Sequence, residues 1–351
     1  MAVDPELQHL IEAVQHNCDV SDAQFAGDYT MCIYLLKMRE FFRWEQGIAL
    51  GERLDSRSVG AWVEGREHHW AQLLDHEPAY MDLTWKGARF APFSADLINQ
   101  ALSSSQLVYG GGYGRFGKPH FFIADLLRGE SLQGYQVWIA GREYARELVA
   151  PPAMAQGRTI YIRRESLRRM LWERVEEWGW QKRENALARA IGCYGFDKDR
   201  ERALDAMTEN ELENAILHEI GELVAGDLID DRWNDMLFSI ARTSAEAQVR
   251  AVRDHLADCL SSLPAILNEE NSASLHFHFA NLSPLRKEIF PALNNAYQSW
   301  LDSGDAQQLK RAVREGKQHW LTVTDQIMET YHEYKEHSAS RIQSLVTQSY
   351  F

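Results

Sequence analysis

The chain has little cysteine: 4 in 351 residues, at Cys18, Cys32, Cys193 and Cys259, with no C-x-x-C pair. That spacing argues against a zinc ribbon and a disulfide framework, and implies free, mostly buried thiols in a reducing compartment. Positive charge is also scarce, with 37 Lys and Arg against 51 Asp and Glu and a net charge of −14. So acidic a surface repels phosphate backbones and anionic bilayers, so neither nucleic acid nor membrane is an expected partner. Long apolar runs are missing, none approaching the ~20 residues of a membrane-spanning helix. The opening "MAVDPELQHL" lacks the basic and apolar regions of a secretory signal. A cytoplasmic protein is the expectation. Internal repeats and low-complexity stretches are absent, as are the G-x-x-x-x-G-K-[ST] phosphate loop and the G-x-S-x-G elbow.

What is present is a globular composition, 45% hydrophobic and 25% charged with 11 Trp, long enough for two or three domain-sized units. Apolar periodicity predicts helices over 5–16, up to about Glu45 with Asp28 as N-cap, and from about Val59 to Leu74. Near residue 105 the pattern changes to short apolar runs between glycines. Strands are expected near 105–110, 119–126, 134–140 and 158–163, forming one small antiparallel sheet, with "GGGYGRFG" as a hairpin turn. Helices resume at about 165–190, 208–229, 244–263, 284–301 and 305–348. Ser283-Pro284 is a favoured helix start, and Pro291 should kink or split the helix it falls in. The fold class is therefore mainly α (α+β): a helical part over 1–100, a small β-rich insertion over 101–163, and a helical bundle over 164–351.

The sharpest chemical signal is "ENAILHEIGEL", residues 213–223. At about 100° per residue, His218 and Glu222 fall close to the meridian of Glu211, with Asn214 and Glu219 flanking them. Leu212, Ile216, Ile220, Leu223 and Val224 occupy the opposite arc, so the simplest reading is an amphipathic helix with its acids in water. Two features favour a metal site instead. The i, i+4 spacing of His218 and Glu222 lets both reach one ion, as in carboxylate–histidine sites of helical bundles. Ala215, Gly221, Ala225 and Gly226 interrupt the polar arc and would let another helix approach closely. The stretch departs from the H-E-x-x-H zincin motif, because Glu222 stands where that motif needs His.

One helix cannot close a site, and the chain offers further candidate ligands. Glu211 is a candidate upstream on the same helix. His255 borders the apolar arc of its helix, whereas Asp258 is expected to face solvent. His276 is preferred over His278 if "SLHFHF" is helical, since the two then diverge. Glu64 and His68 repeat the i, i+4 carboxylate–imidazole spacing, with a surface Glu–His pair as the plainer reading. Arg39 and Glu40 lie in the very apolar "YLLKMREFFRWE"; adjacent residues do not face each other on a helix, so each should find its partner elsewhere. The run Arg163, Arg164, Arg168, Arg169 and Arg174 is expected to pair with Glu165, Glu173, Glu176 and Glu177. Lys118 and His120 sit near a turn and could contact a substrate.

The segments "SDAQFAGDYTMCIYLLKMREFFRWE", "LHEIGELVAGDLI" and "LHFHFANLSPLRKEIFPAL" together resemble a mainly proteobacterial family of uncharacterised proteins with a "HEIGE" helix. The resemblance covers most of the chain. It implies a bacterial, soluble, single-chain protein, and no catalytic residue is carried over from it.

The leading expectation is a helical metalloprotein with a carboxylate/histidine, non-haem iron-like site, acting as an oxidoreductase if it is an enzyme. Iron, or else manganese or zinc, suits Asp, Glu and His ligands without cysteine. His218, Glu222 and Glu211 would lead the ligand set, and Glu219 would serve as acid or base. Two rivals stand beside it. One is a non-enzymatic interaction module docking a protein partner through an acidic, Trp-rich surface. The other is an enzyme binding an anionic small molecule or nucleotide through Arg163, Arg164 and Lys118.

Overall fold

A computed structural model describes residues 4–75, 79–114 and 117–351. The chain divides into two compact units, 1–172 and 173–351. It is mainly α with one small sheet and one larger curled sheet. Among the described residues, no helix is long and apolar enough to cross a membrane.

The N-terminal unit opens with α1 (Pro5–Phe25), α2 (Met31–Glu45) and α3 (Ser56–Asp75). Asp4 caps α1 by accepting from the Glu6 amide at 3.1 Å, with Pro5 in the first helical position. The cap of α2 is Thr30 and not Asp28, because Ala26–Asp28 form a 3-10 turn of their own. The hairpin β1 (Leu83–Trp85) and β2 (Ala88–Phe90) follows, then α4 (Ala95–Leu102). Five strands make the larger sheet: β3 (Leu107–Tyr113), β4 (Pro119–Leu132), β5 (Tyr135–Arg146), β6 (Ala153–Gln156) and β7 (Thr159–Arg163), in the order β3-β4-β5-β7-β6. Gln133 and Gly134 both have positive φ, 51° and 83°, the requirement of a two-residue hairpin whose twist matches its strands.

This sheet corrects two expectations. It is mixed, because β7 runs parallel to β5 while pairing antiparallel with β6. The chain leaves β5, crosses to the edge as β6, and turns back at Gly157 into the gap. Gly110, Gly111 and Gly112 are strand residues of β3, not a turn; Arg115 and Phe116 of the "GGGYGRFG" motif lie outside the described residues. These glycines leave room for neighbours: a Cβ on Gly110 would lie 2.2 Å from the Phe122 ring, and one on Gly112 would lie 1.4 Å from the Gln156 amide. Helix α1 packs on β4 and β5, so Leu10, Val14 and Cys18 share one core with Tyr109, Phe121 and Ala145.

After α5 (Arg164–Gln181), which crosses the boundary, the C-terminal unit is helical throughout: α6 (Ala186–Gly192), α7 (Arg200–Leu228), α8 (Trp233–Ser239), α9 (Ser244–Leu260), α10 (Ser262–Asn268), α11 (Ser272–Asn281), α12 (Pro284–Ile289), α13 (Pro291–Ser303), α14 (Gln307–Tyr334) and α15 (Ala339–Gln348). Ser283 caps α12 through the Arg286 amide at 3.2 Å, and Pro291 divides α12 from α13. Helix α9 is central, packed by α7, α12, α14 and α15 around Val252, Leu256, Phe290 and Trp320. A Cβ on Gly221 would lie 2.4 Å from the Ala257 carbonyl oxygen. The small residue is needed because α7 and α9 touch there.

Candidate functional site

The α7–α9 contact at Gly221 sets the geometry of the C-terminal site. It brings His218, just before it on α7, to Asp258 on α9: Nδ1 lies 3.0 Å from Oδ1. Asp258 corrects the solvent-facing expectation. It is 2% exposed, because the arc of α9 that sequence periodicity assigns to water is covered by α7 and α12. Its carboxylate also accepts from Ser262 Oγ at 3.2 Å and from the Arg286 guanidinium, and His278 Nε2 stands 3.9 Å away.

Burial disfavours any charge here, so the partners decide each protonation state. For Asp258, burial is overridden above all by Arg286, with the protonated His218 adding a hydrogen bond and its charge, and the carboxyl is held well below its usual range. For His218, burial opposes the charge, while the Asp258 hydrogen bond and the field of Asp258, Glu222 and Glu219 lift it to about 10. The His218 side chain is 38% exposed, so solvent screens that field. Its Nε2 makes no hydrogen bond among the described residues. Burial raises Glu219 to about 7 against the opposing field of His218. His278 is neutral, pushed down to about 4 by burial and by Arg286.

The other expected residues disperse. Glu222 ion-pairs with Arg253 at 3.3 Å. Glu211 is 6% exposed and accepts from Ser274 at 2.9 Å and from Asn210 and Asn214 at 3.3 Å. His255 is 1% exposed, stacked on Trp320, with Nε2 on the Arg286 carbonyl at 2.9 Å; burial makes it a neutral core histidine. Residues 272–281 are helical, and His276 turns to the Tyr297 hydroxyl at 2.8 Å. His278, not the preferred His276, faces Asp258. In the N-terminal unit, Glu64 and His68 are exposed on α3, with His68 bonded to Gln72 at 3.0 Å. Among the described residues, no group of three His, Cys, Asp or Glu side chains has the arrangement of a metal site.

Glu211 supplies a pH signature. Burial raises its carboxyl to about 7 against hydrogen bonds from Ser274, Asn214 and Asn210. The stability it contributes is full below its unfolded value of about 4.5 and is lost as pH rises through about 7. Glu211→Gln is therefore expected to stabilise the protein by roughly 2 kcal/mol at pH 8 and hardly at all at pH 5. Urea unfolding at the two pH values checks this, and equal effects at both would sink it.

The N-terminal unit holds a second polar cluster that sequence reasoning left in pieces. Arg163, expected to pair with nearby acids on α5, is fully buried and forks onto both oxygens of Glu143 at 3.0 Å. It also donates to Glu147 at 2.9 Å. His120 Nδ1 is 2.7 Å from the same Glu147, and Lys118 ion-pairs with buried Asp22 of α1 at 2.9 Å. The pairs Arg169–Glu165 and Arg174–Glu177 do follow the expectation. Arg39 and Glu40 do not: Arg39 bends back to its neighbour at 2.8 Å, and Glu40 also takes Arg43 at 3.2 Å. The long Arg side chain overcomes the angular separation of adjacent residues. Cys18 and Cys259 are buried, but Cys32 and Cys193 are exposed.

Fold and site together define a two-unit α+β protein with a buried ionic cluster in each unit. Residues 9–163 match the N-terminal domain, and residues 168–349 the C-terminal domain, of a family of unknown function, DUF6866. The chain belongs to the DUF6866 family. No curated protein and no solved structure matches it.

Proposed function

We propose that the Asp258 cluster is a general acid–base site and that this chain is an enzyme acting on a small molecule through its C-terminal unit. One observation carries the reading: a buried carboxylate holds His218 through Nδ1 at 3.0 Å, while the outer nitrogen of a part-exposed imidazole stays unengaged. Such pairing fixes the ring and its tautomer for proton transfer. His218 would donate a proton, and Glu219, titrating near 7, would accept one. Turnover of a metabolite mixture followed by NMR tests this. A substrate whose consumption survives both His218→Gln and Asp258→Asn would sink the assignment.

A metal reading is favoured by one observation. His278 Nε2 is buried with no hydrogen-bond partner among the described residues, and His218, His278 and Asp258, if they closed round one ion, would supply the two imidazoles and one carboxylate that suit iron, manganese or zinc. The Arg286 guanidinium would have to leave Asp258. Near-stoichiometric metal lost in both His278→Ala and Asp258→Asn supports this reading, and metal that persists in both argues against it. The interaction-module alternative has less support, because Trp180 is the one exposed residue of the 11 Trp.

A further inference from the structure

In a chain of net charge −14, an uncompensated basic concavity calls for explanation. The C-terminal unit has one: a cleft of about 220 Å³ lined by Arg174, Glu177, Trp178, Arg183, Asn185 and Lys287, among others. These residues come from three places, namely the end of α5, the loop into α6, and α12. Arg174 is matched by Glu177 at 3.5 Å. Arg183 and Lys287 are exposed and meet no carboxylate among the described residues. Three cations against one carboxylate leave the cleft positive.

The loop carrying Arg183 is held in place. Trp178 Nε1 donates to the Arg183 carbonyl at 3.0 Å. Lys182, which is not a glycine, adopts φ 45°, a left-handed conformation that costs about 1 kcal/mol or more and persists only where surroundings impose it. Asn185 spends its Oδ1 on the Ala188 amide at 2.9 Å, which leaves its NH₂ group as a donor.

We propose that this cleft binds a phosphate group, either a phosphomonoester or a diphosphate, with Arg183 and Lys287 as its charged ligands and Arg174 and the Asn185 amide completing the set. A planar guanidinium matches phosphate oxygens with paired hydrogen bonds, and an ammonium adds a compact point charge. The volume is below the roughly 300–1,000 Å³ typical of drug-sized ligands, so the cleft takes the phosphorylated end of a ligand and not a whole nucleotide. The inference does not depend on the acid–base reading of Asp258.

Calorimetric titration of the full chain with inorganic pyrophosphate at low ionic strength tests it. Saturable one-site binding is expected. The double variant Arg183→Gln, Lys287→Gln should weaken it by about tenfold or more, and Glu177→Gln should tighten it. Both cations are exposed, so the double variant should keep the wild-type circular dichroism; Arg183→Glu alone serves if it does not, with the same expected loss. Absence of saturable binding, or equal affinity in wild type and variant, overturns the proposal. Equal affinity for malonate overturns the phosphate assignment.

Discussion

Replacing Arg163 with methionine is expected to destabilise the N-terminal unit by about 3–5 kcal/mol, the usual consequence of stranding buried charges. Arg163, Glu143 and Glu147 all have side chains that are 0% exposed. The guanidinium is the cation that Glu143 and Glu147 share, and it also lies over the Phe122 ring at 4.5 Å. Burial alone would raise both carboxyls; Arg163 is the leading influence that lowers them. In the wild type these depressed groups contribute stability that is present above their unfolded value of about 4.5 and lost as pH falls through their lower folded values. In Arg163→Met the direction reverses. Burial then dominates, and acidification from pH 7 to 5 should restore stability by protonating the stranded acids. Hydrogen exchange of the full chain, read in peptides from β5 and β7, measures this. A loss under about 1 kcal/mol with no pH reversal would mean that water reaches the cluster.

Asp258→Asn is the second large effect. It removes the one carboxylate shared by His218, Arg286, His278 and Ser262. A loss of roughly 3 kcal/mol at pH 7 is expected, at the lower end for a broken buried pair because its cationic partners keep some solvent contact. Asp258 is depressed in the folded state, so its contribution is present above its unfolded value of about 3.8 and disappears as pH falls through the folded value. The difference between wild type and variant should therefore shrink under acid conditions. His218 gives an independent readout. In the wild type its imidazole should titrate well above 6.5, and in Asp258→Asn it should fall back toward that value. A wild-type His218 that titrates normally by NMR would show that the Nδ1–Asp258 bond does not form in solution.

The sequence by itself determined the fold class and the existence of the main helices, because those are set by local rules, but not the short elements β1, β2, α4, β6 and α8. Apolar periodicity places α3 and α9 to within a few residues of their positions, whereas α7 begins eight residues before the expected 208, and the helix expected over 305–348 is broken at Lys335–His337 into α14 and α15. Ser283-Pro284 starts a helix and Pro291 ends one for reasons contained in those residues. The glycines of α7 correctly signalled a close helix neighbour. The same local rules could not choose partners. Asp22 and Lys118 stand 96 positions apart, and His218 and Asp258 stand 40 apart. Periodicity divides a helix into an apolar arc and a polar one, but it cannot say whether a second helix covers the polar arc. That is why Asp258 reads as solvated and is buried. It is also why Arg163, which heads a run of apparent surface arginines, proves to be the cation at the centre of a core. Only the tertiary structure decided which charges leave water together, because burial and pairing are properties of surfaces that meet in three dimensions.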